Sequence, residues 1–383
     1  MRWGQSIHCQ TEGIKTWLQF NEPQRLLLVK EFDRHTGCFT PLFVGSSRAI
    51  YLAMDSPVVR RKLLTSLLVM SPGIIFSGYV AARRAGIKVL YRSISFPEEQ
   101  VRRDIAYRAG STHPKHQLDL FLPRASNWPM LIFVHGGGLC SGDKRLRVGG
   151  ADVYGNIARF YASAGIGVAL VNYRLQPEVT WREQVEDVAC AAAWVHEHVG
   201  LYGGNPGRLF IGGHSAGAYL AARIALDPKS LAQAGLAPAI LSGVIAVSGA
   251  ALDLRDALTY ELGHHPKHYE QRFRCADPTD NWKTEASPIT FAAAGAPPFL
   301  VIYPEGESKP LQRQSQLLHQ TLREKGVRSE LIVVPGEGHC RIVLALSRPD
   351  KPAAQAILRF IDTSEAKFVD PPLPTHDVRL TAT

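Results

Sequence analysis

A serine stands between small residues in the stretch Gly213-His214-Ser215-Ala216-Gly217. An apolar run, residues 207–212, precedes this stretch, and the alanine-rich run 218–222 follows it. Together they predict a strand, a sharp turn and a helix, with Ser215 at the turn. Small neighbours allow the strand and the helix to approach closely, and the amino end of the helix favours negative charge beside the serine hydroxyl. The pattern is typical of a nucleophilic serine.

A glycine-rich pattern lies upstream at His135-Gly136-Gly137-Gly138, directly after the apolar run Met130–Val134. Glycines have no side chain, so their backbone N–H groups can point at a bound carbonyl oxygen. We therefore expect the N–H groups of Gly137 and Gly138, together with that of Ala216, to form an oxyanion hole. The alternative is a flexible glycine loop without a catalytic role.

Of the fourteen histidines, His339 has the position expected of a general base. It lies in the loop sequence Pro335–Cys340, which follows the strand-like run Ser329–Val334. A histidine on a loop after a late strand can reach back to a nucleophilic serine and accept its proton. His339 is therefore the predicted base.

The residues alone offer more than one candidate for the carboxylate that would pair with His339. The run Pro298–Tyr303 predicts a strand, and two carboxylates follow it, those of Glu305 and Glu307. Either carboxylate could stabilise a protonated imidazole. Asp253 follows another predicted strand, residues 244–248, but it precedes the expected acid strand and is interpreted as a structural residue.

The order serine, acid, histidine, with a glycine-rich loop upstream, resembles the α/β-hydrolase superfamily. Within that superfamily the chain is similar to serine esterases of the hormone-sensitive-lipase and feruloyl-esterase-like (BD-FAE-like) groups. The resemblance covers about residues 100–362, which form the expected catalytic domain. Besides the serine and glycine patterns, four stretches support it: Ser141–Lys144, Asn172–Glu178, Tyr202–Arg208 and Ser287-Pro288.

The resemblance selects one of the two glutamates. In similar proteins the acid is the fifth residue of a His-Gly-x-x-Asp segment at the end of the strand. The corresponding segment here is Tyr303-Pro304-Glu305-Gly306-Glu307, which implies Glu307. The chain departs from that pattern in two ways, with Tyr-Pro in place of His-Gly and glutamate in place of aspartate. His214 also replaces the aspartate or glutamine common before the nucleophile, and we expect it to be a packing neighbour.

The predicted reaction is the hydrolysis of small-molecule carboxylic esters through an acyl-enzyme intermediate. Ser215 would attack the acyl carbon, His339 would transfer the proton, and Glu307 would hold the imidazolium. No cofactor and no metal ion are expected. Two alternatives remain open: an arylformamidase-type amide hydrolase with the same machinery, and an inactive hydrolase-fold binding protein.

Composition indicates one large core and an uneven distribution of charge. The chain has 383 residues, of which 45% are hydrophobic, and a net charge of +9. Residues 1–88 hold twelve Lys/Arg and five Asp/Glu, so the rest of the chain is nearly neutral. We therefore expect no nucleic-acid surface on the catalytic domain. The six cysteines show no C-x-x-C or metal-ligand spacing, so the sequence predicts neither a zinc site nor a disulfide framework.

Strand-like and helix-like segments alternate from Val101 onward, which predicts an α/β fold with a mostly parallel central sheet flanked by helices. The segment of about 250–297 breaks this alternation and is expected to be a small, irregular cap insertion. Its histidine cluster, residues 264–268, is interpreted as an exposed loop rather than a metal site. The remaining predicted elements are strands at 105–107, 117–122, 167–172 and 240–248, and helices at 153–164, 181–198 and 310–325.

The segment 54–99 reads as a basic and apolar leader. Its residues 63–82 carry no charge between basic flanks, which predicts either a signal anchor with membrane association or an extra helix over the core. With a signal the protein would be exported or anchored, and otherwise cytoplasmic. Met54 is a candidate start, and residues 1–53 would then be an untranslated extension. Residues 363–383 read as a flexible tail.

Overall fold

The computed structural model describes residues 91–264, 266–274 and 281–363, together with the backbone of four strands between residues 6 and 46. The predicted leader segment 63–82 and residues 364–383 lie outside the described residues. The domain bounds expected from the sequence stay predictions.

The chain divides into two compact units, one formed by residues 1–93 and 147–153 and the other by residues 94–146 and 154–383. The first unit contains a four-stranded antiparallel sheet, a feature that the sequence analysis did not predict. It also contains a short antiparallel hairpin. The strands of the first unit are β1 Ser6–Thr11, β2 Ile14–Asn21, β3 Leu26–Asp33, β4 Cys38–Ser46, and in the hairpin β8 Arg147–Val148 and β9 Ala151–Asp152.

The second unit is built around an eight-stranded sheet with the strand order β14-β13-β12-β11-β7-β10-β6-β5. All neighbours from β14 to β10 are parallel, whereas β6 pairs antiparallel with both β10 and β5. The predicted mostly parallel sheet is therefore confirmed. Its strands are β5 Val101–Ala106, β6 Gln117–Phe121, β7 Trp128–Val134, β10 Gly167–Val171, β11 Gly204–His214, β12 Leu241–Val247, β13 Phe299–Pro304 and β14 Ser329–Val334.

The burial of these strands follows from their place in the sheet. Every residue of β7, β10 and β13 is buried, while the edge strands β5 and β14 each contain exposed and half-buried residues. A parallel sheet covered by helices on both faces requires such continuous apolar runs. The sequence shows them because the interior strands have no face in contact with water.

In the part of the chain that the structure describes, ten α-helices connect and cover the strands. The helix Trp181–His198 begins with a capping box. The Thr180 side chain accepts a hydrogen bond from the backbone N–H of Glu183, and the Glu183 carboxylate accepts one from the backbone N–H of Thr180. The helices are α1 Val153–Ser163, α2 Trp181–His198, α3 Ala216–Leu226, α4 Pro228–Gln233, α5 Ala257–Glu261, α6 Pro266–Phe273, α7 Trp282–Ala286, α8 Lys309–Glu324, α9 Ile342–Ala345 and α10 Pro352–Thr363.

The expected cap segment between β12 and β13 is more regular than the sequence predicted, since it contains the short helices α5 to α7. Helix α6 buries only Tyr269 and Phe273, which is too sparse a pattern to predict a helix from hydrophobic spacing. The Nε1 group of Trp181 in α2 donates to the Phe273 carbonyl oxygen at 3.0 Å. In the predicted histidine loop, the His264 ring stacks on Tyr269 at 4.1 Å, so it is not simply solvated.

Among the described residues, no helix combines the length and the apolar character needed to cross a membrane.

Candidate active site

Ser215 lies between β11 and α3 in a backbone conformation that few non-glycine residues adopt, with φ +56° and ψ −117°. Its backbone N–H donates to the carbonyl oxygen of Val247 at 2.9 Å, and its own carbonyl oxygen accepts from Tyr219 in the first turn of α3. These two bonds hold the serine between the sheet and the helix, where the sequence predicted a sharp turn.

The flanking glycines are required by close backbone contacts. A Cβ atom on Gly217 would lie 2.1 Å from the carbonyl oxygen of Val134, and one on Gly213 would lie 2.5 Å from the carbonyl carbon of Gly217. No side chain fits at either position. The small residues of the serine pattern therefore bring α3 against the ends of β7 and β11.

A continuous line of hydrogen bonds joins three of the predicted residues. The Nδ1 atom of His339 lies 2.6 Å from the Oε2 atom of Glu307, and its Nε2 atom lies 3.1 Å from the Oγ atom of Ser215. A carboxylate only accepts, so Nδ1 carries the proton and Nε2 is left to accept from the serine hydroxyl. This arrangement can move a proton from the serine to the histidine.

The two candidate glutamates have different partners. Glu307 is buried, and its second oxygen, Oε1, accepts from the backbone N–H of Ser308 at 2.9 Å. Glu305 is exposed, and its carboxylate accepts from the backbone N–H of Gly336 at 3.1 Å. The third carboxylate, that of Asp253, pairs with Arg255 at 2.9 Å. The structure thus brings Glu307, and neither of the other two, to His339.

The glycine loop turns back on itself beside Ser215. The carbonyl oxygen of Gly137 accepts from both the N–H and the hydroxyl of Ser141, at 3.0 Å and 2.8 Å. Gly137 has φ +133°, and a Cβ atom there would lie 2.0 Å from the Ser141 carbonyl oxygen. Within the described part of the chain, the N–H groups of Gly137, Gly138 and Ala216 donate to no protein acceptor. They remain available as donors to a bound oxyanion.

Ion pairs behind the glycine loop fix its far end. Burial would raise the pKa of Asp143, but hydrogen bonds from Lys115, from the backbone of Arg145 and from Asn172 lower it to about 2. The ammonium group of Lys115 also donates to the carbonyl oxygen of Gly142 at 2.9 Å. The loop is therefore tied to a carboxylate that stays ionised at neutral pH.

The next residue, Lys144, is buried with its ammonium group 2.8 Å from the carboxylate of Asp119 and 2.6 Å from that of Asp104. The sequence placed Lys144 only within a stretch of family resemblance and did not predict these partners. They come from strand β6 and from a bulge in β5, which no local pattern connects to the loop.

Arg174 and Asp187 form an ion pair, with Nη2 2.8 Å from Oδ1. The same carboxylate also accepts from His116 and from Arg108, at 3.1 Å and 3.3 Å. Asp187 is fully buried, so it anchors the loop after β10 to helix α2.

One neighbour of the nucleophile has a contact that the sequence did not predict. The Nε2 atom of His214 lies 2.8 Å from the carbonyl oxygen of His339. The sequence predicts only a packing role for His214, because nothing local connects it to a residue 125 positions later. The cysteines near the site have no such role: Cys140 makes a long contact of 3.7 Å with the Gly137 carbonyl oxygen, and Cys340 is exposed.

Comparison with known proteins agrees with this architecture. A family model described as alpha/beta hydrolase fold matches residues 131–343. The chain is 31% identical to Esterase LipQ of Mycobacterium tuberculosis over 376 residues, an alignment that covers 92% of this chain and 84% of that protein. It is 30% identical to Esterase LipC of the same organism, over 63% of this chain and 60% of that protein.

Solved structures share the fold at lower identity. Esterase B of Lactobacillus Rhamnosis superposes with a TM-score of 0.59 and 21% identity, over 76% of this chain and 92% of that one. An esterase of Pyrobaculum calidifontis gives a TM-score of 0.57 and 22% identity, over 81% of this chain and 98% of that one. The chain belongs to the alpha/beta hydrolase fold family, and within that family it is a carboxylic ester hydrolase.

Proposed function

We propose that the protein hydrolyses carboxylic esters with Ser215 as nucleophile, His339 as general base and Glu307 as the acid that orients the base. The observation that supports this most directly is the hydrogen-bond line from Glu307 through His339 to Ser215, with its distances of 2.6 Å and 3.1 Å. Each group has the partner that its role needs, and the serine is activated by the adjacent base.

In the first half of the reaction, the Oγ atom of Ser215 attacks the acyl carbon while its proton passes to Nε2 of His339. The imidazolium that forms is stabilised by the Glu307 carboxylate at Nδ1. Because Glu307 is buried, water screens its charge little and the attraction to the imidazolium is strong. The carbonyl oxygen of the ester becomes an oxyanion at the same time.

The oxyanion is bound by backbone N–H groups of Gly137, Gly138 and Ala216. Among the described residues these groups have no acceptor to give up, so they can bind the developing charge without rearrangement. The N-terminus of helix α3 adds a partial positive charge at Ala216. Loss of one such donor typically lowers kcat by roughly a hundred- to a thousand-fold.

His339 then donates its proton to the alcohol oxygen, which leaves, and an acyl-enzyme remains on Ser215. A water molecule, activated by His339, attacks this ester and returns the serine. Ser215, His339 and Glu307 thus act in both halves of the proposed reaction, with the same backbone N–H groups binding the oxyanion each time.

The experiment that tests this function is labelling of the purified protein by a fluorophosphonate probe, together with ester hydrolysis. We expect wild type to be labelled and the Ser215→Ala variant to lose both labelling and hydrolysis. A Ser163→Ala variant is the matched control, since it changes an exposed serine at the end of helix α1, and we expect it to keep the label. Wild-type hydrolysis by Ser215→Ala would mean that another residue is the nucleophile.

A further inference from the structure

His214 is the last residue of β11 and immediately precedes Ser215. Its backbone is held in the sheet, in register with Val247 of β12. The residue is only 6% exposed, so its polar ring must find a hydrogen-bond partner inside the protein. The partner that it finds belongs to the proposed base.

The Nε2 atom of His214 lies 2.8 Å from the backbone carbonyl oxygen of His339. A carbonyl oxygen only accepts, so Nε2 carries the proton and donates it. The two imidazole rings also pack together, with centroids 4.9 Å apart and planes at 47°. The side chain before the nucleophile therefore holds the main chain of the base.

The opposite side of the His214 ring faces the glycine loop. A Cβ atom on Gly136 would lie 3.0 Å from Nδ1 of His214 and 2.9 Å from its carbonyl oxygen. The ring is thus enclosed between the glycine loop and the loop that bears His339.

The hydrogen bond from His214 holds a different part of His339 from the one that Glu307 holds. Glu307 binds the imidazole ring of His339, whereas His214 binds the backbone of the same residue. His339 lies in the loop between β14 and α9, and loops are more mobile than the elements they connect. A residue held at both its ring and its carbonyl group has little freedom to move relative to Ser215.

The chemistry of the site also requires His214 to be neutral. A second cation beside His339 would oppose formation of the imidazolium during the reaction. Burial, together with the charge of the neighbouring His339, lowers the pKa of His214 to about 3. At neutral pH the ring therefore donates its hydrogen bond without a net charge.

We propose that His214 is a positioning residue, which holds the base His339 within reach of Ser215 through the hydrogen bond from its Nε2 group to the His339 carbonyl oxygen. This inference rests on the proposed function of Ser215, His339 and Glu307. It assigns a role to the residue by which this chain departs from the aspartate or glutamine common at that position.

The test compares His214→Gln, His214→Asn and His214→Phe with wild type in the hydrolysis of p-nitrophenyl esters. The glutamine amide nitrogen reaches the place of Nε2 and still donates, the asparagine amide is too short, and phenylalanine keeps the ring without a donor. We expect His214→Gln to stay within about threefold of the wild-type kcat, and the other two to lose roughly tenfold or more with KM nearly unchanged, since a misplaced base lowers kcat and not binding.

Each outcome decides between the two proposals. Wild-type kcat in folded His214→Phe or His214→Asn, or an equal loss in His214→Gln and His214→Phe, would overturn the positioning role and leave the proposed function intact. A wild-type protein whose hydrolysis does not depend on Ser215 would overturn the proposed function itself, and the positioning role with it. Circular dichroism identifies folded variants, and the asparagine variant decides the matter if phenylalanine prevents folding.

Discussion

Ser215 combines a strained backbone with a hydrogen bond to His339 in one residue. A non-glycine residue at φ +56° costs on the order of 1–3 kcal/mol, which the surrounding contacts must offset. Val247 and the first turn of α3 supply those contacts. The strain aims the serine hydroxyl away from the sheet and toward the histidine, so the conformation serves the proposed chemistry.

A comparison of Glu307→Gln with Glu305→Gln tests which of these two residues is the acid that pairs with His339. Glutamine cannot supply the negative charge that stabilises a protonated His339, so we expect kcat/KM of Glu307→Gln to fall by roughly 10³- to 10⁴-fold. Glu305 is exposed and bonds only the Gly336 backbone, so Glu305→Gln is expected to stay near wild type. Steady-state ester hydrolysis measures both. Equal losses in the two variants would contradict the assignment.

At the scale of elements, the turn from β11 to α3 depends on backbone packing rather than on side chains. Val134 at the end of β7 contacts Gly217 in the first turn of α3, and the register pairs Val134 with Gly213. The end of β7, the end of β11 and the first turn of α3 therefore meet so closely that a methyl group does not fit between them. The serine turn and the glycine loop that follows β7 are positioned by this one contact region.

Substitution of a single glycine by alanine tests that packing. A Cβ atom on Gly217 would lie 2.1 Å from a backbone oxygen, which cannot move as a flexible side chain would. We expect Gly217→Ala to lower the free energy of unfolding by about 1–3 kcal/mol or more, and to lower activity with it. In Gly200→Ala the added Cβ meets nothing within 4 Å, so that variant should unfold at the wild-type urea concentration. Similar midpoints for the two variants would refute the packing argument.

At the scale of the whole molecule, two buried histidines make stability depend on pH. Burial lowers the pKa of His135 to about 4 and that of His214 to about 3, from 6.5 in an unfolded chain. Between pH 6.5 and about 4, the unfolded chain therefore binds more protons than the native protein. Stability falls as the pH decreases through that window, by about 1.4 kcal/mol per pH unit for each histidine.

The variant His214→Gln removes one of these two titrations. We expect the plot of its unfolding free energy against pH to be shallower than that of wild type by about 1.4 kcal/mol per pH unit within the window. Urea unfolding at several pH values measures both slopes. Parallel plots for wild type and variant would show that His214 is not held neutral by the folded protein.

Prediction from the sequence succeeded where a pattern is local. The interior strands are continuous apolar runs because both faces of the sheet are covered, so β7, β10 and β13 could be located without a structure. The serine turn is equally local, since the glycines at 213 and 217 contact the backbone within the turn and at the end of β7. The short cap helix α6 could not be predicted, because it buries two side chains only.

What the sequence by itself determined is therefore the α/β architecture, the turn that carries Ser215 and the order of the chemical groups along the chain. Tertiary structure alone decided which partners meet. Apart from the family resemblance, which implied Glu307, the two glutamates are equivalent as carboxylates after β13, and the path of the loop buries one of them beside His339. The bond from His214 to a residue 125 positions later likewise exists because parallel strands end at one edge of the sheet, which brings their loops together in space.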